Sequence, residues 1–178
     1  MANWICLYSQ DETRQFRTAN FCGVSLTSAS IYNLKHVDYA ERGQQIEIIV
    51  DGVPKRQTII FSGTDCFGEK YYFTEQGLRY IQDSRHKLPW QNFVLNYLHK
   101  IPIILKAPQY AAVSKINPAR LLFYDRVAIR ERGNTQCLLC VVLTKSNINV
   151  VWNCYWVENK KVPETAEIIY RSKDVKKH

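Results

Sequence analysis

Three basic or titratable side chains stand side by side in the segment DSRHKLPW, where Arg85, His86 and Lys87 precede Pro89. The ordinary pKa of histidine lies near neutral pH, so this side chain can accept or donate a proton there. Arginine and lysine stabilise negative charge, and arginine can hold a phosphate through two parallel hydrogen bonds. The cluster therefore has the residue types for general acid–base chemistry on an anionic substrate.

The same cluster also has a structural explanation. The segment TEQGLRYIQDSRHK predicts a helix, with Thr74 as its N-cap and Glu75 favourably placed in its first turn. Cations in the last turn of a helix are stabilised by its dipole, by about 0.3–1 kcal/mol each. This effect alone would account for Arg85, His86 and Lys87, so the sequence leaves both interpretations open.

A second helix follows Pro89, which separates the two helices. Its segment, WQNFVLNYLHK, carries apolar residues at helical spacing, namely Trp90, Phe93, Val94, Tyr97 and Leu98. We expect this helix to end at Pro102. His99 and Lys100 lie in its last turn, where the dipole favours them. They would add a second titrating group and a cation if the two helix ends meet.

Three strand candidates come next, RLLFYDRVAIR, TQCLLCVVLT and NVVWNCYWVE, separated by the turn segments ERGN and KSNIN. Their short spacing predicts an antiparallel meander, and a further short strand is expected at AEIIYR. The central candidate is apolar on both faces, as is typical of a covered middle strand. The predicted fold class is therefore α+β, with two helices packed on an antiparallel β-meander.

The beginning of the chain is β-rich. NWICLY is a strand candidate, and QQIEIIV and QTIIFS are joined by the turn dipeptide Asp51-Gly52, which predicts a hairpin. A short helix ended by Gly43 is possible before them. The glycine-containing segment SGTDCFGEK predicts a boundary near residue 70. We therefore expect a β-rich N-terminal extension or subdomain over 1–70 and a basic α+β domain over 71–178.

The charge distribution points to an anionic partner. The chain has 178 residues and a formal net charge of +8. Up to Phe73 there are seven Lys and Arg against eight Asp and Glu, and from Thr74 onward there are 17 against eight. A basic second part favours nucleic acid as the partner, although a lysine-rich surface without such a partner has the same composition.

The cysteines and the N-terminus bear on the compartment. Six cysteines lie mostly within apolar runs, and the first residues have no basic start followed by an apolar stretch. We therefore expect no secretion signal, a cytoplasmic protein with reduced thiols, and no membrane association. Cys137 and Cys140 have metal-site spacing. Residues three apart on a strand point to opposite faces, however, so we expect no metal and no cofactor.

The order of motifs resembles a known group. FTEQGLRYIQDSRH, NFVLNYLHKIPIILKAP, NPARLLFYDRV and CLLCVVLTKSNINVVWNCYW follow one another, spanning Tyr71 to Glu158. This succession resembles the small phage- and toxin-associated nuclease-like domains grouped with barnase, EndoU, colicin and RelE. In several of them a helix ending in Arg-His precedes a second helix, a P-x-x-I segment and an antiparallel hairpin.

The resemblance implies metal-independent ribonuclease chemistry on structured RNA, such as transfer RNA. It assigns His86 to the helix-end histidine, Arg120 to the arginine that opens the first strand, and Asn153 and Tyr155 to the last strand. The sequence departs from the group at Asn153, where a threonine or serine is usual. It also departs at Lys87, where many relatives have a proline.

The strand NVVWNCYWVE is rich in aromatic residues. Strict alternation places Trp152, Cys154 and Trp156 on one face, and Asn153 and Tyr155 on the other. Trp156 could stack on a nucleic-acid base, or both tryptophans could belong to the core.

Arg85, Lys87, His99 and Lys100 complete the expected nucleic-acid contacts. A non-catalytic module that binds nucleic acid, or a protein partner through residues 1–70, is the alternative function.

Overall fold

The computed structural model describes residues 19–21, 24–26, 34–50, 52–88, 90–145, 147–157 and 166–172. The chain forms two compact units, Met1–Leu34 and Lys35–His178. In the first unit, β1 (Ala19–Phe21) and β2 (Val24–Leu26) pair antiparallel. The predicted strand NWICLY lies outside the described residues.

The second unit is built on an eight-stranded sheet. Its strands are β3 (Gln45–Val50), β4 (Val53–Thr64), β5 (Lys70–Thr74), β6 (Tyr110–Ser114), β7 (Arg120–Ile129), β8 (Thr135–Thr144), β9 (Asn149–Val157) and β10 (Ala166–Arg171). The order across the sheet is β10-β6-β7-β8-β9-β5-β4-β3. Neighbouring strands are antiparallel, except that β5 and β9 are parallel. The α+β class predicted from the sequence is confirmed, and the sheet is larger than three strands.

The hairpin of β3 and β4 is joined to the rest of this sheet through β5. That strand pairs with β4 on one side and with β9 on the other, so β3 and β4 share a sheet with β6–β10. The division between the compact units therefore lies after Leu34, whereas the glycines of SGTDCFGEK predicted it near residue 70. Gly63 belongs to β4, where it pairs with Tyr71, and Gly68 lies in the short connection from β4 to β5.

The hairpin of β3 and β4 forms where the turn dipeptide predicts it. Val50 pairs with Val53, and Gly52 has a φ of +78°, a left-handed conformation that glycine adopts without strain. The short helix considered before Gly43 is absent from residues 35–43. Turns occupy that segment, together with a bridge between Asp38 and Ser62.

Three helices connect β5 to β6. Helix α1 (Glu75–His86) begins as predicted, because the Thr74 hydroxyl accepts a 3.1 Å hydrogen bond from the Gly77 N–H. A 3₁₀ helix (Asn92–Lys100) replaces the expected second α-helix and runs into α2 (Ile101–Lys106). Pro102 lies in the first turn of α2 rather than ending a helix, since proline lacks only an N–H that has no partner there.

The core lies on both sides of the central strands. Leu122, Tyr124, Cys140 and Val142 are buried together, and half-buried Tyr155 packs against them. The helices contribute a further buried set, namely Val94, Leu95, Tyr97, Leu98, Ile101, Ile104 and Leu105. None of the helices in the described part of the chain is long and apolar enough to cross a membrane.

Candidate nucleic-acid interface

Helix α1 lies along β9, with contacts in chain order. Gly77 approaches Val151, the Tyr80 ring packs against Trp152 at a tilt, and Arg85 lies over Tyr155. Gly77 and Arg85 are separated by about 12 Å of helix. Val151 and Tyr155 are separated by about 13 Å of strand. Helix and strand therefore run in the same direction over matched lengths, and the basic end of α1 lies at the Tyr155 segment.

Gly77 allows this close approach. A Cβ atom at this position would lie 2.6 Å from the carbonyl oxygen of Val151, a distance that real Cβ contacts do not reach. Glycine inside a helix normally weakens it relative to alanine, so Gly77 has a cost that its packing must offset. Its role is to let the helix backbone lie directly against the strand backbone of β9.

Gln91, which precedes the 3₁₀ helix, anchors the chain to β9. Its side-chain amide accepts a 2.9 Å hydrogen bond from the Trp156 N–H and donates a 3.1 Å bond to the Trp156 carbonyl. The residue is 2% exposed, so these bonds form away from water. An amide side chain thus pairs with β9 as a neighbouring strand would. This places the residues before it, including Lys87, close to the end of β9.

Arg85 is the cation that reaches β9. Its guanidinium carbon lies 5.5 Å from the centroid of the Tyr155 ring, within the range of a cation–π contact. The Nε atom is buried and has no hydrogen-bond partner among the described residues. Burial lowers the pKa of Arg85, but an arginine stays charged.

Tyr155 is held as a neutral phenol. Burial raises its pKa, and the nearby Cys140 raises it further, while the charges of Arg85 and Arg120 oppose that change. Cys140 is itself a neutral thiol, because burial raises its pKa to about 12. A hydrogen bond between the Tyr155 hydroxyl and the Cys140 sulfur contributes to the raised pKa of Tyr155, so Tyr155 does not act as a base near neutral pH.

Asn153 and Arg120 lie on the same side of the sheet as Tyr155. Asn153 pairs with Val142, and Tyr155 with Cys140, in the register of β8 and β9. Arg120 starts β7, two residues before the partner of Val142. From strand spacing, its Cα lies roughly 12 Å from that of Asn153. The Asn153 Oδ1 accepts a 2.8 Å hydrogen bond from the Cys154 N–H.

His86 and Lys87, the other two residues of the basic cluster, lie at the end of α1. His86 is its last residue, and its side chain lies outside the described part of the structure. Lys87 is the C-cap and is exposed. Because His86 follows Arg85 directly, its backbone lies at the same end of the helix. The proton-transfer role of His86 stays a prediction.

His99 and Lys100 belong to a different part of the molecule. His99 stacks on Tyr97, whose hydroxyl accepts a 2.8 Å bond from the Arg130 N–H, and the Tyr97 ring packs on Trp156. Burial, Lys100 and Arg130 lower the pKa of His99. Trp156 and Tyr155 point to opposite faces of β9. The structure therefore does not bring His99 and Lys100 together with Arg85 and Tyr155.

The two tryptophans of β9 differ because the strand contains a bulge. Asn153 pairs with Val142 and Val151 pairs with Leu143, which leaves Trp152 unpaired and breaks the alternation assumed from the sequence. Trp156 is 4% exposed against Tyr97, so its ring is not accessible to a base. Trp152 is half-buried, and its ring packs at a tilt against that of exposed Tyr80. Sequence reasoning missed this pair, since no residue type marks a bulge.

A groove of about 470 Å³ lies at the other end of β9. It is lined by Glu69, Lys70, Tyr72, Lys145, Asn147, Ile148 and Asn149, none of which was predicted as a site residue. The Lys70 ammonium is paired with Glu41 at 2.6 Å, and the Asn147 amide bonds to the backbone of Glu47 and Ile49. Most of its polar groups are therefore already engaged.

The four cysteines in the described ranges, Cys66, Cys137, Cys140 and Cys154, are free thiols. Within the same ranges, no three His, Cys, Asp or Glu side chains cluster as metal ligands would. No family model matches this chain, and no curated protein or solved structure matches it.

Proposed function

We propose that the protein binds RNA at the Arg85–Tyr155 site and cleaves it by general acid–base transesterification. The observation that carries the proposal is the contact of Arg85 with Tyr155. Through it, the end of α1 that holds Arg85, His86 and Lys87 lies against the strand segment that holds Asn153 and Tyr155. Of these residues, the resemblance to phage- and toxin-associated nucleases assigns His86, Asn153 and Tyr155 to one site, together with Arg120.

In the proposed reaction, His86 accepts the proton of a ribose 2′-hydroxyl, and the 2′-oxygen attacks the neighbouring phosphorus. The bond from phosphorus to the 5′-oxygen breaks, and the proton passes from His86 to that oxygen, directly or through water. The products are a 2′,3′-cyclic phosphate and a 5′-hydroxyl. Arg85 and Arg120 stabilise the charge on the phosphorane, and Tyr155 and Asn153 donate hydrogen bonds to its oxygens.

The scaffold proposed for this chemistry is the nuclease-like arrangement of the α1 and 3₁₀ helices against β7, β8 and β9. Consecutive antiparallel pairing of these three strands and the packing of both helices on β9 support it. A protein of this kind would act on cellular RNA in the cytoplasm, in the manner of a toxin or phage-encoded nuclease.

Cleavage of total transfer RNA by the purified full chain tests the proposal, with and without a chelator. A positioned acid–base group contributes about 100- to 10,000-fold to rate, so His86→Ala should lose activity by that factor. His99→Ala is the matched control, because His99 also ends a helix but lies away from Tyr155. New ends should carry 2′,3′-cyclic phosphates. Equal loss in both variants, or ends with 3′-hydroxyls, would count against the mechanism.

A second candidate function is RNA binding without cleavage. The asparagine at position 153, where the nuclease group has a threonine or serine, favours it. In that case the wild type should retard RNA in a gel, with affinity that falls steeply as salt rises, while the RNA stays intact. Absence of any RNA binding would remove both candidates and would direct attention to a protein partner.

A further inference from the structure

We infer that Tyr80 and Trp152 form a stacking subsite for an unpaired base of the RNA, so that the substrate is single-stranded or looped rather than duplex. This inference rests on the proposed function, since it assumes that the phosphate binds at Arg85. The ring centroids of Tyr80 and Trp152 lie 5.2 Å apart with a 34° tilt. Tyr80 is 41% exposed, so much of the tyrosine surface remains open.

The position of the pair relative to Arg85 fits a short step along an RNA strand. Tyr80 precedes Arg85 by five residues, about 7.5 Å along the helix. Trp152 precedes Tyr155 by three residues, about 10 Å along the strand. Stacked nucleotides advance about 3.4 Å each, so these distances correspond to two or three stacked nucleotides, and to fewer in an extended strand. A base near the bound phosphate can therefore reach the pair.

The chemistry of the pair selects unpaired nucleic acid. A base inside a duplex has both faces covered by its neighbours, whereas an unpaired base can lay its face on an aromatic ring. The cations of Arg85 and Lys87 lie at the end of the same helix and would hold the backbone that carries such a base.

The test is the affinity of the full chain for a short 2′-O-methyl oligoribonucleotide, which cannot be cleaved, alone and annealed to its complement. The unpaired strand should bind more tightly than the duplex. Tyr80→Ala should weaken binding of the unpaired strand by about 5- to 150-fold and leave duplex binding unchanged. Tyr80→Phe, which keeps the ring, should restore affinity, and thermal melting should show that each variant is folded.

Phe67→Ala is the matched control. Phe67 is 43% exposed and contacts two other rings, Phe123 and Tyr170, but it lies outside the site. Its loss should leave RNA affinity unchanged. Equal binding of single strand and duplex, or an unchanged affinity in Tyr80→Ala, overturns the inference even if the wild type cleaves RNA. A selective loss in Tyr80→Ala without any cleavage by the wild type supports the subsite and overturns the nuclease alone.

Discussion

The guanidinium of Arg85 lies over the ring of Tyr155, with 5.5 Å between its central carbon and the ring centroid. The two residues come from a helix end and a strand that are 70 positions apart in the chain. Their contact places the basic end of α1 against β9, at the site proposed for RNA.

Arg85→Gln should weaken RNA binding by about 10- to 150-fold, because a charge-assisted hydrogen bond to phosphate contributes about 1.5–3 kcal/mol. The slope of log affinity against log salt should also fall by about one. Fluorescence anisotropy at several salt concentrations measures both quantities. Arg56→Gln, which removes an exposed arginine from β4, serves as the control and should change neither by as much. Similar effects of the two substitutions would mean that the RNA responds only to net charge.

Gly77→Ala should destabilise the protein although alanine is the better helix former by about 1 kcal/mol. The added Cβ would meet the Val151 carbonyl oxygen at 2.6 Å, and such overpacking costs about 1–3 kcal/mol. Urea denaturation measures the free energy of unfolding. Asp83→Ala, at an exposed position of the same helix, should be neutral or slightly stabilising. A Gly77→Ala protein as stable as the wild type would show that α1 can move away from β9 without cost.

Gln91→Leu should cost about 2–5 kcal/mol, because the N–H and the carbonyl of Trp156 both lose their buried partner. Gln91→Glu should be destabilised at neutral pH, where a carboxylate cannot donate to the carbonyl. It should recover as the pH falls, because the protonated acid supplies one donor and one acceptor. The pH dependence of the urea midpoint separates loss of the hydrogen-bond donor from loss of packing. A destabilisation caused by packing alone would be the same at every pH.

The stability of the protein should fall as the pH drops below about 6.5, in part through His99. Burial, Lys100 and Arg130 lower the pKa of His99 in the folded protein. The unfolded chain therefore binds the proton first, and stability present above about pH 6.5 is lost as the pH falls toward the folded pKa. His99→Phe keeps a ring on Tyr97 but cannot titrate. Its urea midpoint should vary less than that of the wild type between about pH 7.5 and about pH 5.5. An identical pH dependence would exclude His99 as the source.

Local signals in the sequence predicted local structure well. Thr74 caps α1, Gly52 makes the hairpin turn, and AEIIYR forms β10, because each depends on conformational preferences within a few residues. Pro102 was misinterpreted, since a proline is equally compatible with the first turn of a new helix. The bulge at Trp152 could not be foreseen, because it depends on how β9 meets β8 rather than on the tryptophan itself.

The candidate site was predicted as a set of residues but not as an arrangement. Arg85, Asn153 and Tyr155 come together, and His99, which ends the next helix in the same way, lies on the other face. Nothing in the residue types separates these two helix ends. The separation comes from Gln91 and Gly77, whose contacts with β9 decide how the helices lie, and both contacts join residues more than 60 positions apart.

The pairing of β5 with β9 has a consequence for when the site can form. The Asn149 amide donates to the Lys70 carbonyl across 79 positions of sequence, and closing so large a loop makes this contact slow to form. During synthesis, α1 leaves the ribosome long before the strand that it lies against. We therefore expect a growing chain to carry the basic helix end without Tyr155 beside it, so that RNA near the ribosome meets no complete site until β9 has been synthesised.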